Sequence, residues 1–179
     1  VEVDHCRVTA LLKRESIGND QIELDRISVK QEACLNFALD DTAAGWMQIL
    51  TGYGEIGGGA EQLTSDHIAY LPLGYSGSFT AVAEDTSLLL ARLPDAVRFD
   101  DAIASMPTTL QKVDWTREPV LQSEHDARTR IYLATPMLAG TEAFKGEMII
   151  YPPGTARLNI ITKVPSISNT SYRAKAPPC

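Results

Sequence analysis

Between positions 27 and 93 the apolar residues recur with a period of two rather than 3.6, and this constrains the fold more than any other feature of the chain. The short segments 27–39, 46–53, 67–71, 77–83 and 86–93 are rich in β-branched, aromatic and aliphatic side chains. Turn-forming sequences separate them at Asp40-Asp41, at 52–59, at 72–74 and at Glu84-Asp85. Many short strands at close spacing predict an all-β fold, a sandwich or a closed antiparallel barrel, because closure removes exposed strand edges.

A chain of 179 residues can bury one ordinary core, or one core and part of a second. With 44% hydrophobic and 22% charged residues the composition is that of a globular chain and excludes general disorder. A formal charge of -7 speaks against a nucleic-acid surface, which needs clustered Lys and Arg to displace counterions. No apolar run approaches the roughly 20 residues that cross a bilayer, and the first six residues lack the basic and apolar regions of a signal peptide. We therefore expect a soluble, cytoplasmic protein with no nucleic-acid or membrane partner. Cys6, Cys34 and Cys179 lack CxxC spacing and are read as reduced thiols.

From Pro94 to Pro119 the alternation loosens, and three prolines punctuate a charged stretch. Strands resume at 130–134 and 147–151. The organisation read from this is an arm of strands at 1–26, a barrel at 27–94, a linker at 95–127, the start of a second β unit at 128–155 and an anomalous tail at 156–179.

Chemistry-bearing residues are few. Gly52-x-Gly54-x-x-Gly57 spells a dinucleotide-binding pattern, but Gly58-Gly59 and another strand follow where the phosphate site needs a helix N-terminus. His67 falls within a strand and reads as a packed or hydrogen-bonded histidine rather than a base; no Ser-His-Asp grouping is present, so no catalytic residue is assigned. Trp46, Tyr70, Phe79 and His67 are the candidates for lining a small-molecule cavity.

The segment from Asp66 through Pro72 to Gly74 resembles the second motif of the cupins, G-x5-P-x-G-x2-H-x3-N. Upstream, the stretch from Gly45 to Gly52 resembles the end of the first cupin motif, G-x5-HxH-x3-4-E-x6-G, and Pro153-Gly154 resembles the opening of another first motif. The resemblance implies a cupin-type jelly-roll barrel followed by the first strands of a second. It also implies a metal site of three His and one Glu, suited to Mn, Fe, Ni or Zn. Here the Glu position falls on Gly45, the second-motif His on Gly77 and its Asn on Ala81, while 37–41 holds no His. Asp41 alone cannot replace the set, so no metal is expected on the chain as written.

The tail from Ala156 to Cys179 carries no acidic residue, and none of the histidines the motif requires. Read one frame over, with the third base of each codon joined to the first two of the next, it can spell KAEHHHEGAEHFQYIVSGKGTAV. That string resembles an intact first cupin motif, with clustered His, a Glu four residues after the last of them and then a Gly. The expectation is a frameshift after Thr155 in a protein similar to bicupins such as ureidoglycine aminohydrolases or gentisate-type dioxygenases. By that resemblance the first barrel is degenerate and the full-length form binds a divalent transition metal. The chain as written is expected to be inactive and homo-oligomeric, the alternative being a small-molecule-binding or structural barrel.

Overall fold

The alternating segments pair into three antiparallel sheets. A computed structural model describes residues 2, 3, 5–13, 21–106, 108–122 and 128–151. The largest sheet has seven strands in the order β1 (Glu2–Val3), β2 (Cys6–Leu12), β3 (Glu23–Lys30), β10 (Asp85–Leu93), β5 (Ala44–Thr51), β8 (His67–Leu71) and β11 (Gln111–Asp114). Facing it is a four-stranded sheet in the order β4 (Cys34–Ala38), β9 (Ser76–Ala81), β6 (Tyr53–Ile56) and β7 (Glu61–Thr64). A separate sheet of three strands follows, β12 (Val120–Gln122), β13 (Thr129–Ala134) and β14 (Gly146–Ile150).

Register turns the alternation into a core. Leu88 pairs with Ile27 on one side and Ile49 on the other, Leu90 with Met47, and Met47 in turn with Ala69. Their side chains share the inner face, because alternate residues of a strand point the same way. They meet Ile56, Leu63, Phe79 and Ala81 from the opposite sheet in one buried cluster. Phe79, Met47, Ile56 and Leu88 are fully enclosed. The barrel interior is thus filled with side chains.

The other face of the large sheet is covered too. Ala44, Ile68, Tyr70 and Leu93 form a second cluster with Ala96 and Ile103 of the following segment and with Ala139, Ala143 and Phe144 beyond it. Burial on both faces explains why Ile68 to Leu71 reads as an unbroken apolar run instead of an alternating one.

Three stretches differ in detail from the sequence reading. The segment 27–39 is not one strand: the chain turns at Glu32, where φ is 63°, and β4 crosses to the opposite sheet to pair with β9. The stretch 52–59, read as a turn, contains β6, and the hairpin loop proper is Gly57 to Gly59, all at positive φ. The segment read as linker contributes β11, whose Val113 pairs with Ile68, β12, and three 3-10 turns, Ala96–Arg98, Asp101–Ser105 and Trp115–Arg117. The expected strands at 130–134 and 147–151 appear as β13 and β14, while the tail read as out of frame lies outside the described residues. Among the described residues no helix is long and apolar enough to cross a membrane.

Candidate functional site

Strand parity decides which side chains face the barrel interior at the end where the sequence resemblance places a metal. Gly45 shares the inward parity of Met47 and Ile49 on β5, and Gly77 that of Phe79 and Ala81 on β9. Both positions are closed. A Cβ built on Gly45 would fall inside contact distance of the Ala91 carbonyl oxygen on the neighbouring strand. A Cβ on Gly77 would lie 2.8 Å from the Tyr75 hydroxyl and 2.9 Å from its ring. The Tyr75 ring, half-buried and 5.9 Å from that of Phe37, fills the space a side chain at 77 would take, and burial raises its phenol pKa. Leu39 is buried in the apolar core, whereas Asp41 is exposed.

Charge is present at this mouth but tied into an ion-pair cluster of one guanidinium and two carboxylates. Arg92, the cross-strand partner of Gly45, has the inward parity of Leu88 and Leu90. Its Nη2 lies 2.5 Å from Asp25 Oδ2 and 3.3 Å from Glu23 Oε2. Glu23 and Arg92 border an open depression of about 340 Å³ together with Leu39, Asp40, Ala43 and Pro94. A guanidinium held between the two carboxylates stands where a divalent cation would have to gather them, so this donor set does not fit the metal implied by the resemblance. Among the described residues no group of three or more His, Cys, Asp or Glu could hold a metal ion.

The four cavity candidates do not meet in one place. Phe79 is in the middle of the barrel core. Trp46 and Tyr70 are cross-strand partners on the opposite, outward face, where both belong to the second cluster. His67 begins β8, and its Nδ1 lies 2.9 Å from Thr64 Oγ1 and 3.2 Å from the Thr64 amide, which donates to it; the histidine thereby closes the β7–β8 turn. Its cross-strand neighbour is Asp114, whose carboxyl pKa is lowered chiefly by the Thr116 hydroxyl.

Sequence reasoning missed the contribution of the segment after Pro94. Asp100 Oδ2 accepts from the Thr141 hydroxyl at 2.5 Å and from the Glu142 amide at 2.9 Å, joining that segment to the loop before β14. Its Oδ1 accepts from the Ala102 amide at 3.1 Å and caps the 3-10 turn. These bonds hold its pKa below the usual carboxylate value, the Thr141 hydroxyl contributing most. The large sheet, the 3-10 turns and the Ala139 to Phe144 loop thus pack into one cluster. A cavity of about 60 Å³ remains between them, bordered by Tyr70, Leu73, Ile103, Thr109, Gln111 and Phe144.

No protein-family model matches the chain, and no curated protein matches it. Solved structures do. A glyoxylate-induced protein from Pseudomonas aeruginosa aligns with a TM-score of 0.65 and 9% identity, over 82% of this chain and 55% of that one. Protein Ylba from E. coli aligns with a TM-score of 0.61 and 14% identity, over 86% of this chain and 59% of that one. The chain therefore spans less than two thirds of the length of either.

Proposed function

We propose that this chain, whose all-β fold is the cupin fold, is the degenerate first barrel of a bicupin protein with the opening strands of the second. The observation that carries this reading is the pair of blocked inward positions, Gly45 against the Ala91 carbonyl and Gly77 under the Tyr75 ring. Where a metal-binding barrel needs Glu and His, this one holds packed apolar groups and Arg92 in an ion-pair cluster with two carboxylates. Its role is structural: it buries its outer face against the segment leading into β12–β14 and gives that unit a platform. The protein is a homo-oligomer.

The full-length relative of this chain acts on a small polar metabolite, as a metal-dependent hydrolase, aminohydrolase or dioxygenase, with the metal in the second barrel. Support comes from the tail, where codons compatible with the sequence after Pro153-Gly154 can spell a histidine cluster in the alternative frame. The chain as written is catalytically inactive. A second reading, a barrel that binds a small molecule without catalysis, is favoured by the depression beside Glu23 and Arg92.

Two measurements test the proposal. Elemental analysis of the purified chain should find no stoichiometric Mn, Fe, Ni or Zn; about one metal per chain would overturn it. Sequencing the coding DNA across 153–179 should find codons that spell the histidine cluster in the shifted frame, and codons that cannot do so would remove the frameshift.

A further inference from the structure

Tyr70 presents a polar group that no part of the barrel uses. It is 4% exposed, and its hydroxyl has no hydrogen-bond partner among the described residues. Its ring projects from the outer face of β8 toward Phe144, 6.2 Å away between centroids, and borders the cavity beneath the 3-10 turn Asp101–Ser105. Buried hydroxyls almost always find a partner, so this one is expected to donate to something that occupies the cavity.

The walls say what that something is. At about 60 Å³ the cavity exceeds the 10–15 Å³ or so that one water needs, leaving room for roughly four heavy atoms. Leu73, Ile103 and Phe144 give the lining an apolar part, while Tyr70, Thr109 and Gln111 bring polar side chains to it and the Thr141 hydroxyl is committed to Asp100, so the lining matches a small occupant with one apolar and one polar end. Among the described residues of the lining, Tyr70 is the only ionisable side chain. Burial, and after it the field of the Glu118 carboxylate, raises the phenol pKa and keeps the hydroxyl protonated as a donor; the same negative field disfavours an anion.

We propose that the cavity over Tyr70 binds a small neutral carbonyl compound, an amide or ketone, whose oxygen accepts a hydrogen bond from the Tyr70 hydroxyl. The occupant sits between the barrel sheet, the 3-10 turn and the loop before β14, and so ties the first barrel to the second unit. The site is on the opposite face of the sheet from the closed metal positions, and the inference stands apart from the function proposed above.

Acetamide titrated into the isotope-labelled full chain tests it. Amide resonances of residues 101–106, 108–111 and 139–144 should shift saturably. Tyr70→Phe, checked for an unchanged fold by circular dichroism, should weaken binding at least tenfold, and acetate should bind at least tenfold more weakly than acetamide. Ala104→Trp, at an exposed rim position, should close the entrance and abolish the shifts. Non-saturable shifts, equal affinity in Tyr70→Phe, equal binding of acetate, or a crystal structure with the cavity filled by water in the presence of acetamide would each overturn it.

Discussion

Replacing Gly45 by alanine adds one methyl group at the most confined point of the large sheet. Gly45 lies on β5 with β10 on one side and β8 on the other, opposite Arg92 and Leu71. The new Cβ would press on the Ala91 carbonyl, a backbone atom held by the β5–β10 ladder. Relief at an ordinary carbon–oxygen separation needs a displacement of roughly 1 Å between two central strands. Overpacking of this kind costs about 1–3 kcal/mol, and the absence of a rotatable side chain to yield puts this case at the upper end. For a chain of this length about 3 kcal/mol lowers Tm by roughly 6–12 °C. Gly77→Ala is the internal control, because its new Cβ meets the Tyr75 ring, which can rotate away. It should lower Tm by less than half as much. Calorimetry on the two variants checks both numbers. A Gly45→Ala protein that melts with the parent, or a Gly77→Ala protein hurt as badly, would refute the claim that backbone closes the first position and a movable ring the second.

Phe79→Ala removes a fully enclosed ring above Gly54, where only backbone lies beneath it to fill the space, and should destabilise the barrel by about 3–5 kcal/mol in urea titration. Asp100 has a folded pKa below its unfolded value, so its contribution is present above about pH 4 and is lost as pH falls through the folded pKa. Melting curves from pH 7 to pH 3 should therefore fall more steeply for the parent than for Asp100→Asn, and parallel curves would show that the Thr141 contact adds nothing. Trp115→Phe deletes the indole donor to the Ser65 carbonyl at 2.8 Å and should cost about 0.5–1.5 kcal/mol, read by the same titration.

Much of the barrel was legible because its inner face alternates: Ile27 and Val29, Met47 and Ile49, Leu88 and Leu90 are each two residues apart. The residues that hide β6 are glycines. Gly54 is inside a strand because Phe79 leaves no room for a side chain there, and in sequence it cannot be told from the loop glycines 57 to 59. Strand β11 was obscured by its charged and polar residues, Gln111, Lys112 and Asp114, which suit an edge strand. Tyr70 was picked out as a cavity residue from the sequence, but its face was not legible, because β8 is buried on both sides and gives no parity signal. The closed metal positions could be named as glycines from their motif spacing. What closes them could not, since the Ala91 carbonyl and the Tyr75 ring arrive through pairing and a turn.

The pairing of β3 with β10 joins Glu23 to Arg92 and Lys30 to Asp85, at opposite ends of the sequence that makes the barrel. On a ribosome the first of these partners waits until the second has been synthesised. Loop closure over such distances costs entropy before any contact repays it, so barrel formation should be slow and cooperative. During that interval β3 presents an unpaired edge, with Ile27 and Val29 alternating between Arg26, Ser28 and Lys30. The charges at Arg26 and Lys30 lie along that edge and discourage pairing with another nascent chain until β10 arrives.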